Sequence, residues 1–209
     1  FPDRVVPMLP DRLSGDLCSL HEGVPRPCLA VRMTIDAEGA RTGQRFVRGL
    51  MRSAASLTYE QVQAAMDGAP DDRTGPLLDP VIRPLYAAYA ALREARKRRA
   101  PLDLDLPERK VVLSETGKVT SVRFAERLDA HRLIEECMIA ANVQAATTAE
   151  KNGLPTLFRV HDVPPPDKLA DLEAFLSAHG LKIDWKDEPE PADLTRIQKK
   201  ARGTPIAPL

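Results

Sequence analysis

The stretch from Asp129 to Asn152 contains neither glycine nor proline, although the chain holds 19 prolines and 11 glycines among its 209 residues. Such a run predicts one long helix, because proline and glycine are the residues that most disfavour a helix interior. The pair Asn152-Gly153 closes the run, and asparagine or glycine commonly ends a helix. The sequence therefore predicts a helix of about six turns here.

The side chains of this helix divide into three faces. Five apolar residues cover one broad side and predict the buried face, namely Leu133, Ile134, Cys137, Ala141 and Ala145. Four residues lie within about 60° of one another on a second face, namely His131, Glu135, Met138 and Asn142. On a further face, Arg132 and Glu136 are spaced for an ion pair.

Two pairs of strand-like segments predict β-hairpins. Residues 26–35 and 44–47 flank the turn sequence D-A-E-G at 36–39, and residues 110–113 and 119–124 flank S-E-T-G at 114–117. Hairpins and long helices in one chain predict an α+β fold, in which mixed β-hairpins pack with helices.

A capping box marks the start of another helix. Thr58 is placed as the N-cap residue, with Gln61 three positions later, and Leu57 and Val62 are spaced for a hydrophobic staple. Tyr59 should therefore lie in the first turn of a short helix. The following residues, 69–75, combine turn formers with charged residues and predict a solvated loop.

A basic cluster ends the next predicted helix, which runs from Leu78 to Arg99. The cluster comprises Arg96, Lys97, Arg98 and Arg99. Cations in a last turn complement the helix dipole, so a solvated helix end is the simpler interpretation. Contact with phosphates is the alternative.

The C-terminal third is predicted as a series of shorter elements. Residues 156–160 indicate a buried strand, 167–179 a helix, 184–191 an acidic linker and 192–202 a basic helix. Four residues of the 167–179 helix are predicted to face inward, namely Leu169, Leu172, Phe175 and Leu176.

Composition excludes several classes of protein. The 30 lysines and arginines balance 30 acidic residues, which argues against a uniformly basic nucleic-acid coat but leaves local patches possible. No apolar run approaches the length of a membrane span. Cys18, Cys28 and Cys137 form no C-x-x-C pair, which argues against a metal site or disulfide framework and favours a reducing compartment. Common phosphate-loop, hydrolase and zincin motifs are absent.

Two groups of carboxylates are spaced so that they could attract a metal ion. Asp71 and Asp72 lie in a turn sequence, where aspartate is simply a good turn former. Asp103, Asp105 and Glu108 lie in an extended stretch, in which alternation places the two aspartates on one side. Because leucines alternate with them, a half-buried strand is an equally natural interpretation.

Six segments form an ordered series along the chain. They are F-P-D-R-V-V-P-M-L-P at 1–10, L-S-G-D-L-C-S-L at 13–20, L-T-Y-E-Q-V at 57–62, L-D-L-D-L-P-E at 102–108, H-R-L-I-E-E-C-M-I-A-A-N at 131–142 and R-V-H-D-V-P at 159–164. In content and order they resemble the catalytic RNB domain of the ribonuclease R and ribonuclease II family. The resemblance is best over residues 1–180 and continues less distinctly to the end.

The resemblance implies a processive 3′-to-5′ exoribonuclease that hydrolyses single-stranded RNA to 5′-mononucleotides with magnesium. In the family, a tyrosine in L-x-Y-x-Q-V and the first glutamate of the E-E pair contact the terminal nucleotides and favour ribose. These residues correspond to Tyr59 and Glu135. We further expect a cytoplasmic, monomeric parent enzyme that does not associate with membranes.

The same resemblance predicts that the chain is an interior segment of one RNB domain, spanning residues 1–209. The metal-binding aspartates of the family would precede Phe1, and its catalytic arginine would follow Leu209. We therefore expect no catalytic residue or metal ligand within the segment, and no nuclease activity from it alone. The alternative is a non-catalytic relative that keeps the fold as an RNA-binding or protein-interaction module.

Overall fold

The computed structural model describes residues 3–99, 101–102, 109–182 and 189–207. The chain divides into two compact units. The first comprises Phe1–Ala95 and Leu106–Thr148, and the second comprises Arg96–Asp105 and Ala149–Leu209.

The described elements confirm an α+β fold. After a π-helical segment at Arg12–Leu17, they run in the order β1 (Pro25–Ile35), β2 (Arg41–Arg52), α1 (Tyr59–Met66), the single turn α2 (Gly75–Leu77), a π-helical turn (Leu78–Ile82), α3 (Arg83–Arg98), β3 (Arg109–Leu113), β4 (Val119–Phe124), α4 (Asp129–Lys151), α5 (Pro166–Ala178) and α6 (Pro191–Ala201). The predicted helix from Leu78 thus begins as a π-helical turn, and α6 starts and ends within one residue of its predicted limits.

Both hairpins are confirmed as antiparallel two-stranded sheets, β1 with β2 and β3 with β4. The first is longer than predicted, and its pairing extends from Pro25 opposite Arg52 to Ile35 opposite Arg41. Its turn ends at Gly39, which has a φ of 78°. A Cβ atom added there would lie 2.2 Å from the carbonyl oxygen of Ala91 and 2.8 Å from the Cβ of Ala95. The hairpin turn therefore packs directly on α3.

The long helix α4 is confirmed, but the prediction of its buried face is only partly correct, since Leu133 is buried and Ala145 is exposed. Its buried residues are Ala130, Leu133, Glu136, Ala140 and Gln144. Ile134 of the predicted apolar face is 41% exposed. Arg132 contacts Asp129 at 3.3 Å instead of the predicted partner Glu136. Neighbouring elements decide which side of a helix is covered, and here the covered side includes two polar residues that a hydrophobicity pattern passes over.

The predicted strand at 156–160 is wrong as well, since these residues form no strand. Leu157 is fully exposed and Val160 is 81% exposed. A strand needs a neighbour to take its backbone hydrogen bonds, and the strands in the described part of the chain pair only within their own hairpins. In α5, Leu176 is buried as predicted, whereas Phe175 is 37% exposed, contrary to the prediction that it faces inward.

Some predictions fall on residues outside the described ranges. They include the extended stretch 103–108 and most of the acidic linker at 184–191. Among the described residues, no helix has the length and apolar character needed to cross a membrane.

Candidate functional site

Tyr59 is the first residue of α1, and the predicted capping box holds its backbone in place. The Thr58 hydroxyl accepts a hydrogen bond from the Gln61 N–H at 3.2 Å, and the Gln61 side chain accepts one from the Thr58 N–H at 3.0 Å. This reciprocal pair satisfies donors that a helix start otherwise leaves unpaired. The Tyr59 side chain is 41% exposed, as expected for a first-turn residue.

The Tyr59 ring stacks on His131, which lies in the first turn of α4. The ring centroids are 4.1 Å apart and the planes differ by 24°. The His131 ring is itself fixed, because its Nδ1 atom accepts a hydrogen bond from the Leu128 N–H at 3.2 Å. The start of α4 therefore provides the surface against which Tyr59 rests.

Glu135 follows His131 by one helical turn, on the same face of α4, so their Cβ atoms lie about 6 Å apart. It forms an ion pair with Arg127, which precedes the helix. Both side chains remain about one-third exposed. The structure thus brings Tyr59, predicted from one segment, next to the helical turn that bears Glu135, predicted from another.

Glu60 of α1 carries a negative charge beside this stack. Hydrogen bonds from its own backbone N–H and from the Thr58 side chain lower the pKa of Glu60, and the charge of Lys110 acts in the same direction. Glu60 is therefore anionic at neutral pH, and it adds a second carboxylate to the surroundings of His131.

Helices α1, α3 and α4 are joined by a second set of contacts. The Gln63 side-chain oxygen accepts hydrogen bonds from the Ala130 N–H at 3.2 Å and from the Tyr86 hydroxyl at 3.3 Å. The Tyr89 hydroxyl donates to Asp129 at 3.2 Å. Burial raises the pKa of both tyrosines, and the negative charge of Asp129 adds to the effect. Both hydroxyls therefore stay protonated as donors at neutral pH.

An apolar pocket of about 290 Å³ lies against Tyr59. Aliphatic side chains from α1, the π-helical turn and α3, together with Leu133 and Ile134 of α4, form most of its wall. Leu57 and Val62, the predicted staple residues, both line it. The exposed tyrosine ring thus lines a cavity suited to an apolar group rather than to a phosphate.

Asp71 is an anchor of the loop that follows α1. Its Oδ1 atom accepts hydrogen bonds from the Thr74 N–H and hydroxyl, each at 2.7 Å, and Thr74 is completely buried. Gln61 of the capping box donates to the other carboxylate oxygen at 3.0 Å. These bonds, chiefly the one from the Thr74 backbone, lower the pKa of Asp71. The prediction of Asp71 as a turn former is confirmed.

The described residues contain no group of three or more histidine, cysteine, aspartate or glutamate side chains that could hold a metal ion.

The basic cluster begins in the last turn of α3 with Arg96, Lys97 and Arg98. Each of these three already has an interaction partner. The cluster belongs to the second unit, whereas Tyr59 and Glu135 belong to the first. Phosphate contact by the cluster stays a prediction.

Sequence reasoning missed His131 and Arg127 as partners of the two predicted residues. His131 was placed on the face of Glu135 by helical periodicity, which is a usable signal, but its stacking on Tyr59 joins positions 72 residues apart. Arg127 lies before the helix in irregular backbone, where no periodicity applies. Only the folded arrangement reveals either contact.

The sequence matches the RNB domain family over residues 1–205. Ribonuclease R of Escherichia coli strain K12 is 35% identical over 211 residues, which covers 100% of this chain and 26% of that protein. Ribonuclease R of Vibrio parahaemolyticus is 37% identical over 205 residues, which covers 97% of this chain and 24% of that protein. The chain therefore spans about a quarter of the length of these relatives.

Solved structures with a similar fold include the apo form of Mycoplasma genitalium RNase R. It superposes with a TM-score of 0.89 at 22% identity and covers 97% of this chain and 32% of that chain. The same enzyme in complex with ribose-methylated single-stranded RNA gives the same values. The chain thus shares the fold of that part of the enzyme.

Proposed function

Because this chain belongs to the RNB domain family, we propose that it forms the part of a 3′-to-5′ exoribonuclease that grips the 3′-terminal nucleotides of single-stranded RNA. The parent enzyme would hydrolyse the RNA to 5′-mononucleotides. Two relatives that support the proposal are ribonuclease R proteins, of which this chain spans about a quarter. A solved structure with this fold is RNase R in complex with single-stranded RNA.

The observation that carries the proposal is the stack of Tyr59 on His131, one helical turn before Glu135. The phenol thus lies against the helical turn that precedes Glu135, and both side chains are partly exposed. A carboxylate accepts a hydrogen bond from a ribose 2′-hydroxyl, and a phenol either donates to it or accepts from it. The 2′-hydroxyl is what distinguishes RNA from DNA at a given site. Tyr59 and Glu135 would therefore select for ribose.

The surroundings of Tyr59 favour an unpaired nucleotide. The pocket beside it is apolar, and a half-exposed aromatic ring is the kind of surface on which a free base stacks. A base within a duplex has both of its faces covered by neighbouring pairs and could not reach this ring. The substrate would thus enter as a single strand.

We propose magnesium as a cofactor of the parent enzyme only. The described residues contain no group of three or more histidine, cysteine, aspartate or glutamate side chains that could hold a metal ion, and we assign no magnesium site to them. The contribution of this chain would be to bind and orient the RNA.

The test compares variants of the full-length protein that contains this chain. Tyr59→Ala and Glu135→Ala should each erode the preference for RNA over DNA of the same sequence, measured as the ratio of dissociation constants and as resistance of DNA to hydrolysis. Tyr59→Phe removes the hydroxyl but keeps the ring, so it tests the two parts of the side chain separately. Glu150→Ala is the matched control, because Glu150 is an exposed glutamate of the same helix. An unaltered preference in both alanine variants would contradict the roles of Tyr59 and Glu135.

Hydrolysis by the unmodified full-length protein separates the two classes of function. Release of mononucleotides from an oligoribonucleotide is the expected result. Tight, RNA-selective binding without any hydrolysis would instead show a non-catalytic RNA-binding module that keeps the fold.

A further inference from the structure

We infer that His131 is a positioning residue, which holds the Tyr59 phenol in the orientation needed to read the ribose. The inference rests on the proposed function and extends it to a residue that would not touch the RNA. It starts from the stacked geometry of the two rings, with centroids 4.1 Å apart and planes within 24°.

The backbone of Tyr59 is fixed without His131. The capping box between Thr58 and Gln61 holds the first turn of α1. Gln63, one turn later, accepts a hydrogen bond from the Ala130 N–H and so ties α1 to α4. What remains free is rotation of the Tyr59 side chain about its two bonds, and the 41% exposure of that side chain leaves room for such rotation. The His131 ring, which stacks on the tyrosine ring, restricts this rotation.

His131 suits this role because its own ring is held at a defined angle. The Leu128 N–H donates to Nδ1 at 3.2 Å, and this bond orients the imidazole ring. The Leu128 carbonyl in turn accepts hydrogen bonds from the backbone N–H groups of His131 and Arg132. The imidazole is thereby fastened to the start of α4, as the Gln61 side chain is fastened to the start of α1.

Two substitutions separate the ring from the hydrogen bond. His131→Phe keeps a ring that can stack on Tyr59 but loses the acceptor for the Leu128 N–H. His131→Asn keeps a side-chain oxygen near the position of Nδ1 but loses the ring. If stacking positions the phenol, only the asparagine variant should affect recognition of ribose.

A matched control exists at His179, a second histidine that contacts an aromatic ring. His179 lies against Phe175 with centroids 4.6 Å apart, and its Nδ1 atom is 2.8 Å from the Phe175 carbonyl oxygen. It is exposed and belongs to the second unit. His179→Asn therefore removes a comparable ring contact that does not involve Tyr59.

The experiment measures dissociation constants of the full-length protein for an oligoribonucleotide and the same sequence in DNA, in EDTA so that no hydrolysis occurs. We express the preference for RNA as the dissociation constant for DNA divided by that for RNA, and call this the RNA-over-DNA ratio. His131→Asn should lower this ratio about three- to tenfold, the range that an aromatic pair is worth. His131→Phe and His179→Asn should stay within about twofold of the unmodified protein. In the double variant with Tyr59→Ala, His131→Asn should cause no further loss, because the residue it positions is gone.

Equal losses in His131→Asn and His131→Phe would overturn the inference, since the helix start and not the stacking would then be responsible. No loss in His131→Asn, together with a clear loss in Tyr59→Ala, would also overturn it while leaving the role of Tyr59 intact. If Tyr59→Ala itself keeps the ratio, the proposed role of Tyr59 fails, and this inference fails with it.

Discussion

The region around the start of α4 and the segment from Leu154 to Val163 are both rich in aliphatic residues, yet they differ in how those residues are covered. Leu133 of α4 is 5% exposed, whereas Leu157 is fully exposed. A helix satisfies its own backbone and needs neighbours only on one side, while an extended segment needs a partner for the backbone as well. Apolar composition alone therefore says little about burial.

Replacing Leu133 with alanine should have the largest effect on stability. Deleting a buried leucine side chain costs about 2–5 kcal/mol, through lost transfer energy and the cavity left behind. Denaturant unfolding of the 209-residue chain measures the loss. Ile134→Ala is the control, because Ile134 belongs to the same predicted apolar face as Leu133 but is 41% exposed, and its cost should be clearly smaller. Equal losses of unfolding free energy in the two variants would show that Ile134 is buried in solution, as the sequence predicts.

The loop that Asp71 anchors is irregular like the segment 154–163, but its polar groups have partners, and acid should therefore weaken it. Folding lowers the pKa of Asp71 below its ordinary value of 3.8, so the charged carboxylate favours the folded state. That contribution is fully present above pH 3.8 and is lost as the pH falls through the lowered pKa. Midpoints of unfolding for the unmodified chain and Asp71→Asn should differ at neutral pH and converge in acid.

Asp72→Asn supplies the comparison for that experiment, because Asp72 makes no hydrogen bond within the described ranges. Its unfolding midpoints should follow those of the unmodified chain at every pH. If the difference in unfolding midpoint between Asp71→Asn and the unmodified chain persists unchanged in acid, the effect comes from the shape of the side chain and not from its charge.

Leu157→Ser should have the smallest effect, within about 0.5 kcal/mol in the unfolding free energy of the 209-residue chain. A fully exposed leucine loses no buried contact when it becomes polar. Leu176→Ser in α5 is the paired control, because Leu176 is only 3% exposed and its replacement should be strongly destabilising. A loss at Leu157 that matches the loss at Leu176 would show that another surface covers this segment in solution.

Features encoded within a few neighbouring residues were predictable from the sequence. The capping box of Thr58 and Gln61, both hairpin turns and the limits of α4 all depend on local backbone preferences, and the structure confirms them. The strand at 156–160 was not predictable in the same way. Its β-branched and apolar residues favour an extended backbone, but pairing depends on a neighbour that the local sequence does not specify.

The candidate site shows a similar division. Tyr59 and Glu135 come from ordered motifs that resemble the RNB domain, and no periodicity or spacing would have singled them out. Their partners come only from the structure, because the His131 stack depends on how α1 and α4 pack. The ion pair with Arg127 depends in turn on the path of the chain before α4.

The turn of the first hairpin has a consequence for how this sequence can vary. Asparagine is the usual substitute for glycine in a left-handed conformation, and it would accept the backbone of Gly39. Its Cβ atom would still collide with the carbonyl oxygen of Ala91, which is main chain and cannot be trimmed by mutation. Any larger residue at position 39 therefore requires a displacement of α3 or of the hairpin turn, so substitutions there should occur together with changes in the packing of the turn on that helix.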